Sequence, residues 1–207
     1  MTTARDLLTI TMDLPSEPSV RRGDLSLGLA AAELIDLLRL DLVQLAADRV
    51  LPVAAAPDAP EVADPLLAQA AEALVRKLPF ETVEDWLWRR GRGLPTGYLA
   101  ALEAEGRLAR ERRRKWGVLW TSRMVLVDSP DRRRAAHRWS ADEPVLVALA
   151  AAVGTGVLPA EAPARFGGGV DTVLALLHQA LAELAEERLR RARRRDEARV
   201  TTLRRGY

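Results

Sequence analysis

The chain has 207 residues, with 31 lysines and arginines against 29 aspartates and glutamates, a net charge of +2, and no cysteine. This balance excludes a strong uniform field, so an anionic partner must be met by a local patch, and the absence of thiols excludes disulfides, thiolate metal sites and cysteine nucleophiles. Hydrophobic residues make up 48% and aromatics 4%, a Leu/Ala-rich composition that favours a mainly α-helical single globular domain with short surface β-hairpins.

Along the chain, Leu7–Met12 alternates and is rich in β-formers, which predicts a short strand. Pro15–Ser19 reads as a loop. From Asp24 to Leu40, Leu25, Leu29, Ala32, Ile35 and Leu38 recur at helical spacing. Val43 and Leu45, then Val50, Leu51 and Val53, predict a hairpin turning at Ala47-Asp48, and Ala54–Pro60 reads as a linker. Asp64-Pro65 starts a helix with proline in its first turn; Leu67, Ala70, Ala71, Leu74 and Leu78 form its predicted buried stripe. Thr82–Arg90 predicts a helix with Val83, Trp86 and Leu87 inward, and Pro95–Glu105 another, stopped by Gly106. A basic hairpin follows. It carries Trp116, Val118, Leu119, Trp120 and Met124 between the arginines at 110–114 and those at 132–134. Ser140-Ala-Asp-Glu143 has the form of a capping box ahead of a helix with Val145, Leu146, Leu149 and Val153. Gly154–Gly156 and Gly167–Gly169 bracket a loop. Asp171 is placed to cap a long last helix with Leu174, Leu177, Leu181 and Leu184 along one side. Its continuation, Arg188–Arg205, holds nine arginines and makes 188–207 a basic C-terminal helix or tail.

Catalytic chemistry is scarce. His137 and His178 have no ligand-type neighbour at a metal spacing, and no nucleophile elbow, Walker loop or dinucleotide fingerprint occurs. Gly167–Gly169 lacks the Lys-Ser/Thr that follows a phosphate loop. The expectation is no enzyme, no metal and no cofactor. No uncharged apolar run reaches the roughly 18 residues of a membrane-spanning helix, and the first residues lack the apolar stretch of a signal peptide. The expected protein is cytoplasmic, and soluble or lying on a surface. Indole beside fixed positive charge suits an anionic membrane or a nucleic-acid backbone; the same hairpin could instead pack inward or into a dimer. The Arg188–Arg205 stretch reads either as a solvated face with Glu/Arg pairs or as a surface for acidic lipid or nucleic acid.

Several segments, in order, resemble the Golgi phosphoprotein 3 (GPP34) family. They are the early Leu-rich segment, Leu27-Gly-Leu-Ala-Ala-Ala-Glu-Leu-Ile-Asp-Leu-Leu38, the Leu42–Val53 hairpin, Asp64-Pro-Leu-Leu67, Thr82-Val-Glu-Asp-Trp86, and Leu102-Glu-Ala-Glu-Gly-Arg-Leu108 ahead of a protruding hairpin. The match covers about residues 5–155. The resemblance implies a largely helical fold and, from eukaryotic members, a peripheral membrane protein that binds phosphatidylinositol 4-phosphate through a basic pocket, an indole and an apolar hairpin entering the bilayer. By position, the pocket tryptophan falls near Val20-Arg21, one pocket arginine at Ala30, and two more near Arg92 and Pro95. The segment between Asp128 and Val145 is shorter than in relatives, which implies loss of its helix. The compositional bias, that of a GC-rich genome, suggests a bacterial member.

The resulting expectation is reversible binding to anionic membranes, with nucleic acid disfavoured. Arg21, Arg22, Arg89, Arg90 and Arg92 are the candidate headgroup-binding residues; Trp116, Val118, Leu119 and Trp120 are the candidate inserting hairpin. A homo-oligomer through the 116–126 hairpin is a further expected partner. The rivals are a protein-interaction adaptor and a winged-helix DNA-binding regulator, with helix 95–105 and Arg110–Arg114 as helix and wing. Against the latter, nothing between Pro95 and Gly106 is an arginine, lysine, asparagine or glutamine that could read bases.

If the hairpin inserts, Trp120→Ala lowers liposome binding and costs the fold under about 1 kcal/mol. Trp86→Ala, on an inward helix stripe, costs about 3–5 kcal/mol. Thermal melts and vesicle binding of both variants check this: a large stability loss at Trp120 with intact lipid binding by the folded fraction retires insertion.

Overall fold

Residues 27–37 read Leu-Gly-Leu-Ala-Ala-Ala-Glu-Leu-Ile-Asp-Leu, apolar on nearly every side of a helix. Such a helix is stable only when other elements surround it. A computed structural model shows this arrangement; it describes residues 2–14, 20–54, 62–115, 119–155 and 166–205, with the backbone alone at 110, 112–115, 119–123 and 198–205. Helix α2 (Arg22–Arg39) is buried continuously from Leu27 to Leu37. Around it pack α1 (Thr3–Asp13), α3 (Pro65–Glu72), α4 (Val83–Arg90), α5 (Leu94–Ala104), α7 (Pro144–Ala152) and α8 (Val170–Arg205), while α6 (Pro130–Ser140) covers α1. Gly28 makes one of these approaches close enough that any Cβ there would collide with the Val153 side chain.

The two helices flanking α2 both run against it. Thr3 at the start of α1 bonds Asp36 near the end of α2, and Leu7 lies beside Gly28. On the other side Gly169, just before α8, meets Leu45 beyond the end of α2, while Leu184 and Arg188 meet Gly23 at its start. Among the described residues there are eight helices and two antiparallel strand pairs: β1 (Val43–Ala46) with β2 (Arg49–Pro52), and β3 (Leu108–Lys115) with β4 (Leu119–Leu126). The second register runs from Leu108 opposite Leu126 to Lys115 opposite Leu119. The mainly α fold with short hairpins is therefore as composition predicts, and no described helix is long and apolar enough to cross a membrane.

Five local expectations are corrected. Leu7–Met12 is not a strand but part of α1, capped by the Thr2 hydroxyl. Its alternating Leu/Thr/Ile pattern fits either period, and burial on several sides by α2, α5, α6 and α7 selects the helix. The threonines that favoured a strand are satisfied inside it: Thr9 and Thr11 hydroxyls donate to the Arg5 and Leu8 carbonyls at 2.8 Å. The 128–145 segment keeps a helix, α6, with Ser129 as its cap and Pro130 in its first turn. Ser140 ends α6 instead of opening a capping box, and Glu143 itself caps α7 by accepting from the Leu146 amide at 2.7 Å. Leu78 is 80% exposed, because α3 stops at Glu72 and a residue before proline is steered away from helix. Asp171 lies within the first turn of α8 and accepts from the Phe166 and Gly167 amides, anchoring the incoming chain.

Among the described residues four carboxylates are buried, Asp6, Glu33, Asp36 and Glu81. Burial pushes the Asp6, Glu33 and Asp36 carboxyls above the usual range, against the pull of Arg138, Arg90 and the Thr3 hydrogen bonds respectively. A raised native pKa means that the folded state holds the proton more tightly than the unfolded chain. Stability is then full at low pH and falls as pH rises through the native value. Asp36→Asn keeps an acceptor for Thr3 but removes the titration. Its stability relative to wild type is expected to improve from about pH 4 to about pH 7.5. Urea midpoints at both pH values test this, and a difference that does not move with pH would refute it.

Candidate anion-binding site

The run Trp88-Arg89-Arg90-Gly91-Arg92 leaves α4 and enters the turn before α5. Its arginines go to different places. Arg89 binds Glu81 with contacts of 2.7–3.0 Å, donates to the Ala73 carbonyl at 3.1 Å, and lies 5.3 Å from the Trp86 ring centre. Arg90 turns inward to Glu33 through a paired contact of 2.7 and 2.9 Å and reaches the Leu66 carbonyl. Tyr98 of α5 donates its hydroxyl to the same Glu33 carboxylate at 3.0 Å, and burial together with that charge drives the phenol pKa up. Arg89 and Arg90 are thus tied to internal carboxylates. Arg92 stays exposed, with no ion-pair partner among the described residues.

Arg92 stands at the corner where α2 and α5 both begin. Gly91 is the point of contact: a methyl group there would come within 3.0 Å of the Ser26 carbonyl in the first turns of α2. Arg22 bonds the Thr96 hydroxyl at the start of α5. Arg21 is the N-cap of α2 and Gly93, at φ +71°, the N-cap of α5; neither supplies a side-chain cap. Helices α1, α3, α4, α6 and α7 are all capped by an oxygen from Thr2, Asp64, Thr82, Ser129 or Glu143. The corner therefore joins two partly positive helix ends to three arginines; among the described residues Arg21 and Arg92 have no ion pair and Arg22 binds a hydroxyl. Asp24, the acid of the first α2 turn, is held by Arg188 of α8 at 2.6 Å.

The positions where the resemblance puts the other pocket groups are not available. Ala30 is fully buried, and its carbonyl accepts the Trp86 indole N–H at 3.0 Å. Pro95 is buried in the first turn of α5, and Val20 packs against the core. Among the arginines named from sequence, the structure brings together Arg21, Arg22 and Arg92, and draws Arg89 and Arg90 away.

A second polar site escaped the sequence reading. A cavity of about 260 Å³ is lined by Arg5, Asp64, Glu105, Arg107, Asp131 and Arg134 with Ala63 and Pro65. Arg5 binds Asp64 and makes a paired contact with Glu105 at 2.8 and 2.9 Å. Arg107 joins Glu105 to Asp131, which also meets Arg134. Positive and negative groups alternate, so an anion here would displace a carboxylate already in place. The site acts as a brace, tying the base of the β3–β4 hairpin to α1 and the α3 cap. Arg5 lies just before the segment Leu7–Met12 read as a strand. A cation inside a helix otherwise rich in buried residues was the available signal.

The hairpin tip, with Trp116 and Val118, lies outside the described residues. Leu119 and Trp120 fall on the backbone of β4 opposite Lys115 and Arg114. Among the described residues no cluster of His, Cys, Asp and Glu could hold a metal ion. Residues 4–205 match the family model of Golgi phosphoprotein 3 (GPP34), extending well past the 5–155 span visible from motifs. No curated protein matches the chain.

The two kinds of arginine should respond differently to removal. Arg90→Ala strands a wholly buried Glu33 and is expected to cost about 3–5 kcal/mol. Arg92→Ala should stay within about 0.5 kcal/mol of wild type. Denaturant unfolding of both variants checks the assignment; equal costs would overturn it.

Proposed function

The chain belongs to the Golgi phosphoprotein 3 family, and from that membership and the corner of α2 and α5 we propose a peripheral membrane protein that docks reversibly on anionic lipid headgroups. The observation that carries this reading is the convergence of Arg21, Arg22 and Arg92 on two helix N-termini that lack side-chain caps. Phosphate oxygens would accept from the backbone N–H groups of the first α2 turn and pair with Arg21 and Arg92 in one approach, the first α5 amides being already bonded to Gly91 and Gly93. Each basic residue near an anionic surface contributes about 1 kcal/mol. The hairpin, with Trp116, Val118, Leu119 and Trp120, supplies an apolar part of about 25 cal/mol for each Å² buried in the interface. Lipid recognition on this reading is by charge. One of the family's pocket arginines falls here on the buried Ala30 and another near the buried Pro95, so phosphatidylinositol 4-phosphate has no dedicated site beyond the corner.

The winged-helix alternative gains little support. Helix α5 precedes a basic hairpin as that reading asks, but its Leu94, Pro95, Tyr98 and Leu102 are buried. Its exposed Thr96, Gly97 and Ala100 offer little to a base edge.

Flotation with phosphatidylserine vesicles tests the proposal. Binding should weaken steeply with salt, and the combined Arg21→Gln, Arg22→Gln, Arg92→Gln variant should lose most of it while melting like wild type. Phosphatidylinositol 4-phosphate should bind little better than other acidic lipid at equal charge. Salt-independent binding, or full binding by the variant, would remove the corner from the mechanism. A strong preference for phosphatidylinositol 4-phosphate would mean that other groups rebuild a specific pocket.

A further inference from the structure

We propose that the overhanging half of α8 is a second contact for the same anionic bilayer, projecting from the end of the molecule that holds the α2/α5 corner. The proposal rests on the membrane reading above and adds a surface to it. Helix α8 has 36 residues, about 54 Å at 1.5 Å per residue. It runs against α2, and Arg188 reaches Asp24 and Gly23 at the first turn of α2. Residues 189–205, roughly 25 Å of helix, therefore continue past that end. Every described residue from Leu189 to Glu197 is exposed.

The character of the helix changes where it leaves the body. Leu177, Leu181 and Leu184 recur at steps of four and three and pack on the core. The same rhythm then places Arg188, Arg191 and Arg195 on that stripe, with Arg190, Arg193 and Arg194 around the rest. Arg190 and Arg191 pair with Glu186 and Glu187 at 2.7–3.6 Å, which supports the exposed helix. Arg193, Arg194 and Arg195 have no such partner among the described residues. Through the helix terminus the sequence holds nine arginines against Asp196 and Glu197.

The charge says what can cover this surface. A second copy of the helix would set arginine against arginine, so self-pairing is disfavoured. A polyanion is required. Leu189, 59% exposed among arginines, favours a bilayer interface, where cationic heads reach phosphate while an apolar side chain enters the boundary region. A duplex, bound through its phosphates, would leave that leucine in water. The common end shared with Arg21, Arg22 and Arg92 lets one bilayer meet both surfaces, so the second contact forms as an intramolecular event.

The experiment uses the full chain with Arg193→Gln, Arg194→Gln and Arg195→Gln combined, alongside the corner variant. Glutamine has a helix propensity close to that of arginine, and circular dichroism verifies that helix content is kept. On phosphatidylserine vesicles, each arginine removed should lower partitioning about fivefold, so the α8 variant should bind about a hundredfold more weakly than wild type. A duplex DNA gel shift run in parallel should show weak binding that both proteins share. Wild-type vesicle binding unchanged by the α8 substitutions, with the corner variant impaired, overturns this inference and leaves the corner reading standing. No vesicle binding by wild type sinks both. Tight DNA binding lost in the α8 variant would assign the overhang to nucleic acid and overturn the membrane role.

Discussion

The arrangement of this protein turns on the carboxylate of Glu33. It lies in the middle of the buried α2 helix, where an unpaired charge would cost several kcal/mol, and burial holds its pKa high. Arg90 and Tyr98 both come to it, one from α4 and one from α5. Meeting that requirement brings three helices to one point. It also divides a run of arginines. Because Arg90 must turn inward, Gly91 is pressed against the Ser26 carbonyl, and Arg92, two residues on, faces solvent beside the start of α2. A buried structural charge thereby determines which neighbouring cation is left for a ligand.

That division could not be read from the sequence. Arg89, Arg90 and Arg92 are alike as residues, and their roles depend on partners far away in the chain: Glu33 precedes Arg90 by 57 positions. Sequence reasoning identified α2, the first hairpin, α4 with its inward Trp86, α5 and the basic hairpin, because their apolar spacing or turn residues are local signals. It failed where two periods fit equally, as in Leu7–Met12, and where an ending was decided by a following proline, as at Leu78. The helix α6 was missed for a different reason. Its sequence, Pro-Asp-Arg-Arg-Arg-Ala-Ala-His-Arg-Trp-Ser, has little apolar surface, with Ala135 its one buried residue. It is held by charge instead, through Arg138 to Asp6 and Arg132 to Asp13, which no periodicity reveals.

The near-neutral composition hides the same feature on a larger scale. Most of the positive charge in the body is matched locally: Arg5 by Asp64 and Glu105, Arg107 by Asp131, Arg138 by Asp6 and Glu143, Arg89 by Glu81. Such pairs fix geometry and present little field to a distant partner. Among the described residues, Arg21, Arg22 and Arg92 at the corner of α2 and α5 and Arg193–Arg195 along α8 are left without an ion pair, as are Arg49, Arg76 and Lys77 elsewhere. Counting charges gives a near-neutral molecule; following the described arginines to their partners gives a braced body with unpaired cations at the α2/α5 corner and along the end of α8.

Helix α5 links the two parts of the proposed docking surface. Its N-terminus forms the corner with Arg92 and Thr96, and its C-cap, Glu105, binds Arg5 and Arg107 where the chain enters β3. At 11 residues it is about 16 Å long, and Tyr98 and Leu102 anchor it in the core between those ends. Corner and hairpin base are thus held at a fixed spacing by one rigid element. The alternating charges around Arg5 resist tilting of the hairpin base, because moving Arg107 away would break its ion pairs with both Glu105 and Asp131. On the membrane reading, a headgroup seated at the corner places the hairpin base at a set distance from the same surface, so the orientation of the bound protein follows from the buried contacts that hold α5.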